Sequence, residues 1–193
     1  MNRIDLLKRK VQGLYEARNP HRADWADWLY ENHIFVLAEY ARELSEQHKA
    51  QSDLVTAAAM LHDIADSEMS RFSSRHSEHT WTIAKNLLST THFSGQEIGI
   101  IEDAIRHHSC RGGQAPAFLE GRVMATADAV AHLLTDFYDH ALEVKRKEGI
   151  AWEDIVSWAL PKIERDFNDK IFFDEAREEV RWGYERAKVL FSK

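Results

Sequence analysis

The stretch 54-LVTAAAMLHDIAD-66 is the most informative segment of the sequence. It is apolar on nearly every face of a helix, a pattern that predicts a buried central helix over 54–64. His62 and Asp63 lie at the end of that helix, and burying both is unfavourable unless something pairs them. A metal ion would pair them, as would a hydrogen bond between the two side chains or Asp63 capping the next turn. Neighbouring residues point about 100° apart on a helix, so both reach one ion only if the helix ends there or the carboxylate bridges two ions.

Helical spacing of apolar residues extends through the rest of the chain, and β-branched residues do not alternate over a strand length. The fold class predicted is therefore all-α, as a single compact helical bundle over 1–193. Its core spans about 25–134, and C-terminal helices within 151–192 pack on it. The other predicted helices are 5–18, 24–46, 78–88, 94–108, 118–147, 152–166 and 173–191, with a capping box at Ser94 and Glu97.

Composition excludes several classes of protein. The net charge of -7 disfavours sequence-independent binding to nucleic acid through a broad basic face. No apolar run reaches the length of a membrane span, and the charged segment 1–10 does not resemble a secretory signal. Cys110 is the only cysteine, so we expect a reducing, cytoplasmic setting and no cysteine-based metal site. The 11 histidines provide an ample supply of metal ligands.

Other polar residues occur within apolar helices. His33 lies beside the apolar face of 30-YENHIFVLAEYA-41, and Asp128 lies inside 122-RVMATADAVAHLL-134, where it needs a partner. His76 begins one predicted helix, and His107 and His108 end another. Each has an ordinary alternative: His33 as a satisfied core residue, His76 as a helix cap, His107 as an exposed side chain. Together they favour a metal site.

The ordered set of His33, His62-Asp63 and Asp128 resembles the HD superfamily of metal-dependent phosphohydrolases. The resemblance rests on 58-AAMLHDIAD-66 and 122-RVMATADAVAHL-133 and covers roughly residues 25–134. It implies an HD-type helical domain that binds one or two divalent metal ions, among Mn, Fe, Co, Ni, Zn and Mg. It also implies hydrolysis of a small phosphorylated substrate, such as a nucleotide or a related phosphoester, by metal-activated water.

Some members of this superfamily bind one ion, and others bind two by adding two histidines from the intervening helices. Here His76 matches the first extra position, although Thr80 replaces a small residue of the pattern. His108 matches the second, with His107 as its competitor. The resemblance therefore favours a binuclear site in which Asp63 bridges the ions.

Four further residues have predicted roles in the reaction or in substrate binding. Asp66 lies four residues after His62, where related enzymes place a catalytic or phosphate-contacting residue, so Asp66 joins Asp63 as a candidate catalytic residue. Arg71, Arg75 and Arg111 lie in the loops nearest the ligands, and guanidinium groups bind phosphate through two hydrogen bonds. The alternative is that Asp66 is a solvated aspartate and that the three arginines are surface charges.

Two other functions fit the same residues. A di-iron oxygenase can use the HD scaffold, and a non-catalytic domain can bind a metal or ligand there. The loop 109-SCRGGQAP-116 lacks the Gly-Tyr-Pro signature of cyclic-dinucleotide phosphodiesterases, which makes that activity a poor match. Trp25 and Trp28 are expected to wall the pocket, and the apolar C-terminal helices allow a homodimer.

Overall fold

A computed structural model describes residues 2–71 and 73–192, and no β-strand occurs in that range. Phe72, in the segment between the predicted helices 54–64 and 78–88, lies outside the described residues. The first helices are α1 (Arg3–Glu16), α2 (Ala26–Leu29), α3 (Phe35–His48), α4 (Ser52–Leu61), α5 (His76–Ser89) and α6 (Gly95–His107). The others are α7 (Leu119–Leu134), α8 (Phe137–Lys147), α9 (Trp152–Asn168), α10 (Asp174–Glu179) and α11 (Arg181–Leu190). The all-α prediction is confirmed, and so is the capping box of Ser94 and Glu97.

Helix α4 lies at the centre of the bundle, where it packs against α3, α6 and α7. Every residue from Leu54 to Leu61 is buried, because this helix carries almost no polar side chain that would need water. α4 therefore delivers His62 and Asp63, the residues that follow it, to the interior of the protein.

A second apolar cluster joins the C-terminal helices to α7. Leu133 of α7, Phe137 of α8 and Ile163 of α9 are buried in it, together with residues of α10 and α11. α7 contributes to both clusters, so both surround the residues on its central turns, including Asp128. No helix among the described residues is long and apolar enough to cross a bilayer.

The predicted helix over 118–147 was wrong in one respect, because the structure divides it at Thr135. The backbone there is extended, with φ −96° and ψ −174°. The Thr135 hydroxyl donates to the carbonyl of Ala131 at 2.7 Å and accepts from the amide of Phe137 at 3.3 Å. A threonine side chain that bonds to the backbone in this way competes with helix continuation.

Two other predicted helices are also interrupted. The helix over 173–191 bends at Val180 (φ −95°, ψ 1°), whose side chain is fully buried at the corner between α10 and α11. The helix over 24–46 starts at Ala26 and contains a π-helical turn over Tyr30–Ile34. Such turns carry one extra residue and are frequent at functional sites.

Gly183 marks a close approach between helix α11 and the backbone of α7. A Cβ atom added there would lie 2.2 Å from the carbonyl oxygen of Leu133 and 2.9 Å from its carbonyl carbon. Both are backbone atoms, which cannot rotate away. We expect Gly183→Ala to lower the free energy of unfolding by about 1–3 kcal/mol or more, measured by urea denaturation.

Gly99 is the matched control for this substitution. It lies on the exposed side of α6, and a Cβ there would meet nothing within 4 Å. Gly99→Ala should be neutral or should stabilise the helix by about 0.5–1 kcal/mol. Equal stability of the two variants would show that α11 does not pack against α7 as described.

Candidate metal centre

His62 and Asp63 approach each other because α4 ends just before them. The last residue of α4 is Leu61, and the backbone of Asp63 (φ −128°, ψ 29°) leaves the helical conformation. The Nε2 atom of His62 lies 3.5 Å from Oδ2 of Asp63. The end of the helix is thus the arrangement that allows two neighbouring residues to face one ion.

Asp128 brings His33 and His62 together. Its Oδ1 atom lies 3.3 Å from Nε2 of His33 and 3.7 Å from Nε2 of His62. All three residues are buried, and one donor atom from each lies within 4.8 Å of the other two. His33 reaches this position from the π-helical turn, and Asp128 from the middle of α7.

A separate observation also indicates that His33, His62 and Asp128 suit a divalent ion. Oδ1 of Asp128 and Nδ1 of His33 are buried atoms without a hydrogen-bond partner in the described part of the chain. Leaving such an atom unpaired costs about 1–3 kcal/mol. An ion bound by imidazole nitrogens and carboxylate oxygens would give Oδ1 its partner, and this donor chemistry suits Mn, Fe, Co, Ni and Zn.

His108 belongs to a second group of possible ligands, with His62 and Asp63, whose donor atoms also lie within 4.8 Å of one another. Nδ1 of His62 lies 2.8 Å from the carbonyl of Ala59, and Nδ1 of His108 lies 2.7 Å from that of Ile105. Donation to these carbonyls leaves each Nε2 with a lone pair, as is usual for metal-binding histidines. Burial lowers the pKa of His108 to about 4, which keeps its ring neutral.

His107, the alternative to His108 as a ligand, contacts a carboxylate outside both groups of possible ligands. Its Nδ1 atom lies 3.0 Å from Oδ1 of Asp103, and 37% of its side chain is exposed. The geometry therefore favours His108 over His107 as a ligand.

The structure does not bring His76 into either group of possible ligands. Its Nε2 atom lies 2.9 Å from Oδ1 of Asp66.

Asp66 is completely buried, and its other oxygen accepts a hydrogen bond from Arg71. The 3₁₀ turn over Ile64–Ser67 turns Asp66 inward instead of continuing the helix that ends at Leu61. Asp66 does not line the cavity described below, so its contacts fit the positioning of His76 and Arg71 rather than contact with substrate.

Arg71 extends between two carboxylates next to the candidate centre. Its Nη2 atom contacts Asp66 and lies 2.9 Å from Oδ2 of Asp63. Its guanidinium carbon lies 5.2 Å from the centre of the Trp25 ring, within the range of a cation–π contact. Together, Asp63, Asp66 and Trp25 fix the orientation of this arginine.

A cavity of about 590 Å³ opens onto the candidate ligands. His62, Asp63, His108 and Asp128 line it, together with His76.

The predicted substrate-binding arginines differ in their positions relative to this cavity. Arg71 and Arg111 line it, whereas Arg75 is exposed and does not line it. Trp25 lines the cavity as expected, but Trp28 does not: it stacks on His140 at 4.5 Å.

A row of charged residues that also lines the cavity was not predicted from the sequence. Lys162 and Asp166 lie one turn apart on α9, and Lys170 follows four residues later. Lys170 donates to Oδ2 of Asp128, and Oδ2 of Asp166 lies 3.0 Å from Nδ1 of His132. Nε2 of His132 lies 3.4 Å from Oδ1 of Asp128. The spacing of four residues was the available signal, but such rows usually lie on exposed helix faces.

These charges fix the ionisation of Asp128. Burial alone would raise its pKa, but the ammonium of Lys170 holds the pKa well below its usual value. Burial would lower the pKa of Lys170, but Asp128 and Asp166 raise it to about 12. Burial lowers the pKa of His33 as well, although Asp128 opposes the change. The centre therefore offers an ionised carboxylate at Asp128 and neutral imidazoles at His33 and His108, the protonation states that metal ligands need.

Comparison with known proteins adds one positive result. Neither a search of curated proteins nor a search of solved structures found a match. The sequence model of the HD domain matches residues 30–133, which is more than half of the chain and includes His33, His62, Asp63 and Asp128. The chain therefore belongs to the HD domain family.

Proposed function

We propose that the protein is a metal-dependent phosphohydrolase that acts on a small phosphorylated substrate, a nucleotide or a related phosphoester. The observation that carries the proposal is the convergence of His33, His62 and Asp128 beside a cavity that His62, Asp128 and Arg71 line. Ligands for a divalent ion and a fixed guanidinium are the two components that phosphoryl transfer requires, because it depends on positioning and charge neutralisation.

His33, His62, Asp63 and Asp128 would hold the ion, with His108 beside Asp63 as a further ligand. When bound, a divalent ion lowers the pKa of a water ligand toward neutrality and polarises a phosphoryl oxygen. Asp63 remains ionised, because the charge of Arg71 holds its pKa well below the usual value although burial would raise it.

Arg71 binds the phosphoryl oxygens in this proposal. Its guanidinium is oriented by Asp63 and Asp66, so little conformational entropy is lost when a phosphoryl group binds. His76 supports the arrangement through its contact with Asp66. These residues therefore place the phosphorus atom beside the ion and neutralise charge that develops on its oxygens.

The cavity suits a nucleotide-sized molecule. Its volume of about 590 Å³ lies within the range of small-molecule sites. Trp25, Phe137 and Trp158 also line it and would contact a planar or apolar leaving group. The lone cysteine, Cys110, is compatible with the reducing cytoplasm, where we place this reaction.

The test is to measure metal content and product formation on the purified protein. We expect about one or two equivalents of a divalent ion, and phosphate release from members of a panel of nucleotides and phosphoesters. A chelator should abolish release, and the ion should restore it. Oxygen uptake without phosphate release would replace the proposal with an oxygenase, and failure to bind any metal after reconstitution would refute it.

A further inference from the structure

Most cationic side chains that line the cavity contact a carboxylate of the same chain. The pairs are Arg71 with Asp63 and Asp66, Arg106 with Glu78 and Glu102, Lys162 with Asp166, and Lys170 with Asp128 and Asp166. Arg165 and Arg111 differ from these. Within residues 2–71 and 73–192, neither guanidinium forms a hydrogen bond or an ion pair.

Arg165 is the more informative of the two because it is partly buried. Its Nε atom is inaccessible to water and has no hydrogen-bond partner in the described part of the chain. Burying a donor of a charged group without a partner is unfavourable by about 1–3 kcal/mol or more. The Arg165 side chain also lines the cavity, so an anion bound there would meet a guanidinium that no carboxylate of the described residues neutralises.

Both arginines line the cavity that His62, Asp63, His108 and Asp128 also line. Arg165 immediately precedes Asp166, which contacts His132, and Arg111 follows His108 by three residues. Arg165 therefore reaches the cavity from α9, and Arg111 reaches it from the loop that follows α6.

We infer that Arg165 and Arg111 form a second anion-binding subsite, and that the substrate carries a second phosphoryl group besides the one that is hydrolysed. This inference rests on the proposed function. Two unpaired guanidiniums match the charge of a phosphoryl group, which exceeds that of a carboxylate, and each can bind its oxygens through two hydrogen bonds. In a protein of net charge -7, two cations without partners in one cavity are a selective site for a polyanion.

The experiment measures binding, so it does not depend on turnover. Inorganic phosphate, pyrophosphate and tripolyphosphate are titrated into the metal-loaded protein by calorimetry, for wild type, Arg165→Met, Arg165→Lys and Arg111→Met. Arg9→Met, at an exposed position of α1, is the control. We expect both methionine variants to lose about tenfold or more in affinity for pyrophosphate or tripolyphosphate and less than about twofold for phosphate. Arg165→Lys should retain part of the affinity because it keeps the charge.

Comparison between variants is essential, because pyrophosphate can also bind an ion through two of its oxygens. Unchanged affinity for the longer anions in both methionine variants would overturn the inference. An equal loss for phosphate would also overturn it, because the two arginines would then serve the first phosphoryl group. Failure of the proposed function is a separate result, namely that no ester or anhydride releases phosphate although the ion is bound.

Discussion

Replacing Asp128 with alanine is expected to abolish tight metal binding and to lower the rate of phosphate release by at least about 10³-fold. Asp128 provides the oxygen on which His33 and His62 converge. Loss of a group that merely orients a ligand already weakens metal binding about 10–100-fold, and loss of one stabilising donor lowers kcat about 10²–10³-fold. Removing a ligand should exceed both effects. Metal affinity by calorimetry and phosphate release at saturating metal are the two measurements.

The fold should survive this change, because Lys170 keeps a second partner in Asp166 at 3.4 Å. Circular dichroism of Asp128→Ala and of the isosteric Asp128→Asn checks that point. Asp136→Ala, at an exposed position between α7 and α8, is the control and should bind metal like wild type. If folded Asp128→Ala retained wild-type metal affinity, Asp128 would not be a ligand and the proposed centre would be wrong.

Replacing Lys170 with methionine should have the largest effect on stability, a loss of about 3–5 kcal/mol in the free energy of unfolding at neutral pH without metal. Lys170 is only 2% exposed and contacts the carboxylates of Asp128 and Asp166. Its removal leaves the charge of Asp128 buried with no cation of comparable strength beside it. Urea denaturation of the chelated protein measures the loss.

A bound ion should reduce the destabilisation of Lys170→Met, because its charge replaces that of the ammonium next to Asp128. Lys147→Met is the matched control: Lys147 is 72% exposed and pairs with Glu143 one turn away on α8. That substitution should change stability by less than about 0.5–1 kcal/mol. If Lys170→Met were as stable as Lys147→Met, the ion pair between Lys170 and Asp128 would not exist in solution.

The sequence is most informative about residues whose chemistry conflicts with their surroundings. His62, Asp63 and Asp128 interrupt apolar helices, and a polar group in such a place needs a partner whatever the details of the fold. The structure brings possible ligand atoms of these residues together in the two groups described above. The choice between His107 and His108 required the structure, since both end α6 and only the direction of each ring separates them.

Other features depend on contacts that periodicity does not encode. The break between α7 and α8 depends on the hydroxyl of Thr135, which forms hydrogen bonds to both helices. The inward position of Asp66 depends on a change from α to 3₁₀ geometry over four residues. The role of Lys170 depends on which side of the bundle the chain reaches after α9, and a row of charges at helical spacing is normally evidence of exposure.

The position of Lys170 also determines whether the segment that matches the family contains the whole site. The segment that defines the family ends at residue 133, whereas the ammonium that neutralises Asp128 lies 42 residues further along the chain than that carboxylate. A fragment cut at the family boundary would contain Asp128 without its counter-ion and without the apolar cover that α9 provides. In this protein the segment that matches the family and the segment that surrounds Asp128 are therefore different lengths of chain, and grafting the former alone would not transfer the site.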